Sequence, residues 1–201
     1  MNAVVLVPVK AFADAKARLA AVLDDGQRER LARWTSARVL AAAGELPTYV
    51  ACDDESVATW AGERGATILW HPGVGLNAAV NNSVVDLREK GVTDVIVAHG
   101  DLPRVHSLAS LAKPGTLTLV PDRHSDGTNV VAVPTSMPFQ FAYGPGSFRR
   151  HLDAATAAGL SVRVRRDPLL ALDIDTPSDL AHPLVQEVLP SWLQMNPANQ
   201  H

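Results

Sequence analysis

The chain has 201 residues, 47% apolar and 19% charged, with 18 Lys and Arg against 21 Asp and Glu for a formal net charge of −3. That length supports one well-buried core, and the balance excludes both a disordered chain and a basic footprint that would draw nucleic acid by charge. The single cysteine, Cys52, can neither close an internal disulfide nor build a thiolate zinc site, which fits a reducing, cytoplasmic setting.

Residues 3–9 are apolar but interrupted by Pro8 and Lys10, with no basic segment ahead of them, so they read as a strand rather than a membrane span. No later stretch reaches membrane length. Within it, Val4-Val5-Leu6-Val7 has the unbroken apolar character of a strand covered on both faces. Helical spacing runs over 27–43 through Leu31, Trp34, Thr35, Arg38, Val39 and Ala42, and Gly44 and Pro47 stop it. A strand over 48–52, a helix over 57–64, a strand over 66–70 and a helix over 76–90 follow. Strands at 94–98, 117–120, 130–133 and 161–166, with a helix over 147–158, complete the pattern.

From His182 onward Pro183, Pro190 and Pro197 break the chain, so we read one domain over 1–181 and a tail over 182–201. In that tail Trp192 and Leu193 fit either a cap on the core or a subunit contact. Strands alternating with helices predict an α/β fold with a mostly parallel sheet and ligands at the carboxyl ends of its strands. That rule selects Lys10, Asp53, Asp101 and Asp122.

The stretch Asp122-Arg123-His124-Ser125-Asp126-Gly127-Thr128-Asn129 is followed by a glycine turn, Tyr143-Gly144-Pro145-Gly146-Ser147-Phe148. Glycine lets backbone amides face an anion, and the helix opening at Ser147 adds partial positive charge, so together the two turns predict an anion site. In Leu172-Asp173-Ile174-Asp175-Thr176-Pro177 an extended backbone places both carboxylates on one side and Leu172 and Ile174 on the other. With Asp101 they make an oxygen-rich set suited to magnesium, although Asp175 also reads as the start of a capped helix.

Lys10, Lys16 and Arg18 are placed to surround a triphosphate, while Lys16 and Arg18 read equally as a solvated helix face. Arg28, Arg30, Arg33 and Arg38 are read as such a face. Gly75-Leu76-Asn77 fits a turn near a base or ribose, or an ordinary helix cap. His124 is read as solvated and Cys52 as core. The chain lacks a Walker loop, a dinucleotide glycine fingerprint and a defensible Ser/His/Asp spacing.

Val7-Pro8-Val9-Lys10, Ala15-Lys16-Ala17-Arg18-Leu19, Gly75-Leu76-Asn77, Gly100-Asp101-Leu102-Pro103, Gly127-Thr128-Asn129, the 143–148 turn and the 172–177 element occur in this order. In that arrangement the chain resembles the 2-phospho-L-lactate or phosphoenolpyruvate guanylyltransferases of coenzyme F420 biosynthesis over residues 3–181. The resemblance implies a nucleotidyltransferase fold of the glycosyltransferase-A type, a Rossmann-like α/β/α sandwich with a mixed, mostly parallel sheet. It implies GTP as substrate and Mg2+ held by Asp101, Asp173 and Asp175. Pro8, Lys10, Lys16, Arg18 and Asn77 are implied on the nucleotide, with Lys10, Lys16, Arg18 and Asp101 as the catalytic set.

Thr128, Gly144 and Ser147 are implied to hold a three-carbon phospho-acid: phosphoenolpyruvate, 2-phospho-L-lactate or 3-phospho-D-glycerate. A downstream F420 ligand transferase is implied as partner, and a homodimer is left open. Two positions depart from the family pattern. Ala17 stands where a small hydroxyl residue is frequent, and Asp126 where a second glycine is common. The rivals are a molybdenum-cofactor or sugar nucleotidyltransferase of the same fold and a non-catalytic nucleotide sensor. The first usually carries a Gly-Gly-x-Ser/Thr-x-Arg loop where this chain reads Pro8-Val9-Lys10-Ala11-Phe12. The second has no need of three convergent carboxylates.

Overall fold

Alternation along β1 (Ala3–Pro8) sets the architecture: Val5 and Val7 enter one apolar layer, Val4 and Leu6 the opposite one, and all four are fully buried. A strand buried on both faces needs helices on both sides. The computed structural model describes residues 2–193. β1 lies mid-sheet among β2 (Thr48–Cys52), β3 (Thr67–Trp70), β4 (Asp94–Ala98), β5 (Leu117–Pro121), β6 (Thr128–Pro134) and β7 (Val162–Val164). The order across the sheet is β3-β2-β1-β4-β6-β5-β7. Every pairing is parallel except those of β6, which runs antiparallel to both β4 and β5.

Helices α1 (Asp25–Ala41) and α2 (Glu55–Gly62) cover one face through Ala32, Val39, Leu40, Val57, Trp60 and Ala61. Helices α3 (Gly75–Glu89) and α4 (Ser147–Ala157) cover the other through Val80, Leu87, Phe148 and Ala155. Each fully buried Val or Leu in these layers contributes roughly 1.5–3 kcal/mol. This is the predicted α/β/α sandwich with a mixed, mostly parallel sheet.

The boundaries shift for local reasons. The helix predicted to open at 27 begins at Asp25, because Asp24 accepts from the Gln27 N–H at 2.7 Å while Gln27 accepts from the Asp24 N–H at 3.0 Å. This reciprocal cap satisfies otherwise orphaned donors. The strand predicted from 130 begins at Thr128, so two polar residues, Thr128 and Asn129, enter the sheet buried. β7 is confined to three of the six predicted residues.

Two short helices follow, α5 (Pro177–Leu180) within the predicted domain and α6 (Pro183–Gln186) in the described part of the predicted tail. Leu180, Val185, Leu189 and Leu193 join Leu19, Leu31, Leu172 and Ile174 in a third apolar cluster, with Trp192 packed against it. The Arg30 guanidinium sits 4.1 Å from the Trp192 ring centroid. Of the two readings for Trp192 and Leu193, the cap on the core is the one this packing supports; Pro197 lies outside the described residues. Among the described residues no helix is long and apolar enough to cross a membrane.

Candidate active site

The acidic elements meet because the backbone ties them: Ile174 N–H donates to the Asp101 carbonyl at 3.2 Å. Asp101 follows β4. Leu172 and Ile174 are buried in the third cluster, which leaves Asp173 and Asp175 on the opposite, partly exposed side. The spacing argument for the two aspartates therefore holds. Asp175 precedes the capped start of α5, where Thr176 and Asp179 form a reciprocal cap. Both readings of that position describe the same residue.

Lys16 bridges the two elements. Its Nζ lies 3.1 Å from Asp101 Oδ2 and 3.4 Å from Asp175 Oδ1. It is no solvated face: its side chain is only 8% exposed, and its backbone sits in the left-handed region at φ 59°. That conformation strains a residue with a Cβ, and attraction to two carboxylates helps hold it. Burial alone would lower the Lys16 pKa, but Asp101 and Asp175 outweigh it and raise the pKa. Burial pushes Asp101 up, yet Lys16 and His99 leave it below its ordinary value. Arg18 stays exposed and reaches Asp175 Oδ2 at 3.6 Å.

Asp173 has no such relief. Burial first, then the charges of Asp101, Asp175, Asp179 and Asp122, push its carboxyl up to about 7. Asp101 Oδ1 is buried without a hydrogen-bond partner. Among the described residues no three His, Cys, Asp or Glu side chains are gathered closely enough to hold a metal ion, and the Lys16 ammonium contacts two of the carboxylates. The orphaned Oδ1 and the raised Asp173 nonetheless fit an oxygen-seeking divalent cation, whose charge would relieve both.

A cavity of about 300 Å3 opens at this edge and is lined by Pro8, Lys10, Phe12, Lys16, Leu76, His99, Asp101 and Asp175 among others. A second, of about 220 Å3, shares Pro8, Lys10 and Leu76 and extends to Asp53 and His71. Pro8, Lys10, Lys16 and Asp101 are thus brought together, at the strand ends where a ligand was expected. Asn77 is placed differently. Its Oδ1 accepts from Tyr143 N–H at 2.6 Å and its Nδ2 donates to the Tyr143 carbonyl at 3.2 Å. Within the chain the side chain thus clamps the glycine turn from the neighbouring helix.

The glycine turn is built as expected, but several amides in it and in the preceding 122–127 loop are bound within the chain. Asp122 Oδ1 accepts from His124 and Asp126 N–H, each at 3.0 Å, and Asp122 Oδ2 from Gly127 N–H at 2.9 Å. Asp126 Oδ2 accepts from Gly146 N–H at 3.1 Å, and the Asp126 carbonyl from Phe148 N–H at 3.0 Å. The protein's own carboxylates occupy four of the amides that the sequence offered to a ligand, those of His124, Asp126, Gly127 and Gly146. Glycine is required at 144 and 146, where φ is +119° and +69°. Beside the turn stand two hydroxyls: Thr128 and Ser147 are buried, with their oxygens 3.3 Å apart.

Several supporting residues escaped the sequence reading. Arg38, read as solvated, donates to the Pro103 carbonyl at 2.7 Å, and Ser36 to the Gly100 carbonyl at 3.1 Å, so α1 holds both sides of Asp101. Asn129 Nδ2 donates to the Leu170 carbonyl at 3.0 Å, and Arg123 donates to Asp179 at 2.5 Å. His151 is fully buried beneath Thr128. Its one signal was position, one helical turn after Ser147.

Comparison with known proteins agrees with this geometry. Residues 3–186 match the family model described as "Guanylyl transferase CofC like". A phosphoenolpyruvate guanylyltransferase of Sphaerobacter thermophilus is 35% identical over 190 residues, covering 90% of this chain and 91% of that one. One from Rubrobacter xylanophilus is 37% identical over 192 residues, covering 90% and 93%. Among solved structures, a nucleotidyl transferase from Methanothermobacter thermautotroptrophicus superposes with TM-score 0.60 at 14% identity, covering 88% of this chain and 93% of that one. A synthetase of CMP:2-keto-3-deoxy-manno-octonic acid, complexed with CTP, gives 0.54 at 16% identity, covering 90% and 95%. At such identities these structures speak for the fold alone. With carboxylates, lysine and cavity all at the carboxyl edge of a nucleotidyltransferase sheet, the chain belongs to the CofC-like guanylyl transferase family and is a nucleotidyltransferase.

Proposed function

We propose that the protein transfers GMP from GTP to the phosphate of phosphoenolpyruvate, releasing pyrophosphate, as a step of coenzyme F420 biosynthesis. The observation that carries this is the Asp101–Lys16–Asp175 bridge at the mouth of a cavity bounded by the end of β1. The curated relatives' names supply the acceptor class. 2-Phospho-L-lactate and 3-phospho-D-glycerate are the competing acceptors, and a downstream F420 ligand transferase would take up the product.

The acceptor's phosphate oxygen attacks the α-phosphorus, and the bond from that phosphorus to the α–β bridging oxygen breaks as pyrophosphate departs. The acceptor is already anionic at neutral pH, so the chain supplies no nucleophile; its work is positioning and charge neutralisation. Lys10, Lys16 and Arg18 neutralise the triphosphate. Pro8 bounds the nucleotide cavity, and Thr128, Gly144 and Ser147 hold the acid. Asp101, Asp173 and Asp175 would hold Mg2+, which supplies Lewis-acid stabilisation of the phosphate oxygens when bound.

The test is pyrophosphate release from GTP and Mg2+ with each of the three acids offered separately. Release with phosphoenolpyruvate establishes the reaction and its acceptor; GTP binding without release with any acid overturns it.

A further inference from the structure

We infer that His151 is a positioning residue for the acceptor site, fixed as the tautomer that donates to Thr128 and so leaves one hydroxyl proton of the Thr128–Ser147 pair for an incoming anion. This inference rests on the acceptor reading above.

The ring nitrogens have distinct partners. Ala142 N–H donates to His151 Nε2 at 2.8 Å, so Nε2 carries no proton. The neutral ring then bears its proton on Nδ1, which lies 3.1 Å from Thr128 Oγ1 and donates to it. Burial, with Arg150 and His99 nearby, pushes the His151 pKa down to about 4, so the ring stays neutral under working conditions. Tyr143 meets the imidazole edge-on at 5.1 Å and Phe139 packs at 5.5 Å, which fixes the ring plane.

The proton count follows from this order. Thr128 and Ser147 have one hydroxyl proton each, and their mutual contact at 3.3 Å uses one of them. Because the imidazole donates, neither hydroxyl has to donate back to it. The remaining proton is left to point at a ligand oxygen, whichever way the mutual bond runs. With the opposite tautomer, Thr128 would have to donate to Nδ1, and the pair would meet an anion with lone pairs only. A buried pair without a donor repels phosphate or carboxylate, since an unpaired buried group loses its full desolvation energy. As the amides of 124, 126, 127 and 146 are taken by Asp122 and Asp126, this donor carries added weight.

The test uses two amide variants of the full chain. Asparagine places its amide near the Nδ1 position and can still donate to Thr128, whereas glutamine places it near Nε2 and cannot. Expected is a rise in KM for phosphoenolpyruvate on the order of tenfold or more in His151→Gln, with KM for GTP unchanged and His151→Asn close to wild type. In a Thr128→Val background His151→Gln adds no further loss. Equal losses in both variants, or a loss that persists without the Thr128 hydroxyl, would mark the ring as packing only and overturn the inference. The tautomer is read separately, without substrate, from the ring 15N shifts of the wild-type protein. Nδ1–H is expected, and Nε2–H overturns the inference whatever the activity. A protein with the Nδ1–H ring that releases no pyrophosphate with any phospho-acid overturns the acceptor reading and leaves the hydrogen-bond order standing.

Discussion

Lys16 and Asp101 form a largely buried ion pair at 3.1 Å, 85 residues apart in sequence, at the point where the first and fourth strands leave the sheet. The pair serves two ends. It holds the 16–18 turn against the acidic elements, and it sets a cation where a triphosphate would arrive.

Replacing Lys16 by Met is therefore expected to damage fold and reaction together. Asp101 and Asp175 would face each other across a partly buried gap, and removing one partner of a buried pair costs about 3–5 kcal/mol. Turnover should fall by roughly a hundred- to a thousandfold, the usual loss for one transition-state contact. Thermal unfolding and steady-state pyrophosphate release on the same sample check both. A variant with wild-type Tm would show that the ammonium contributes nothing to the fold.

Asp173→Asn should separate stability from activity. Its carboxyl titrates at about 7 in the folded chain against an ordinary 3.8. Between those values the folded state binds the extra proton, so this group's contribution to metal-free stability falls as pH rises through that window. At pH 8 the ionised group costs on the order of 2–4 kcal/mol. The variant is expected to melt higher than wild type at pH 8, equally at pH 4, and to lose guanylyl transfer at both. Calorimetric melting without Mg2+ at the two pH values tests the sign; a lower Tm at pH 8 would refute it.

The acidic set was legible in the sequence because strand ends and an i, i+2 spacing are local patterns, and Asp101, Asp173 and Asp175 obey them. The parallel part of the sheet was legible for the same reason. What was not legible depends on partners far along the chain. Asn77 read as a ligand contact or a helix cap, and the spacing gave no sign of its bond to Tyr143, 66 residues on. The 122–127 amides looked open because nothing in the spacing shows that Asp122 turns back onto them. Thr128 and Asn129 broke the apolar pattern that marks a strand, so β6 was predicted to start too late. Thr128 instead meets His151 and Ser147, and Asn129 donates to the Leu170 carbonyl.

Gly100→Ala should be destabilising for a steric reason that a second substitution removes. A Cβ at 100 would lie 2.7 Å from Ser36 Oγ. Overpacking of this kind typically costs about 1–3 kcal/mol. With Ser36→Ala the nearest remaining atom is Ser36 Cβ at 3.6 Å, an ordinary contact. The double variant is expected to be more stable than Gly100→Ala alone, which chemical denaturation of the four proteins in the cycle would measure. Additive losses would place the strain elsewhere in the loop.

Asp126→Ala is expected to tighten binding of the acid. The Asp126 carboxylate lies at the start of α4 and accepts from Gly146 N–H at 3.1 Å, so it brings negative charge to the turn proposed to receive an anion. Removing it frees one amide and lifts the like-charge repulsion, while the Asp126 carbonyl still accepts from Phe148 N–H. A helix-terminal charge of this kind is worth about 0.3–1 kcal/mol, so KM for phosphoenolpyruvate should fall by roughly two- to fivefold. The gain should shrink as salt is raised from 0.05 to about 0.5 M, because the charge is solvent-exposed and screened. Initial rates across a phosphoenolpyruvate titration at both salt levels decide it. A higher KM would mean that the carboxylate's bond to Gly146 shapes the turn more than its charge opposes the ligand.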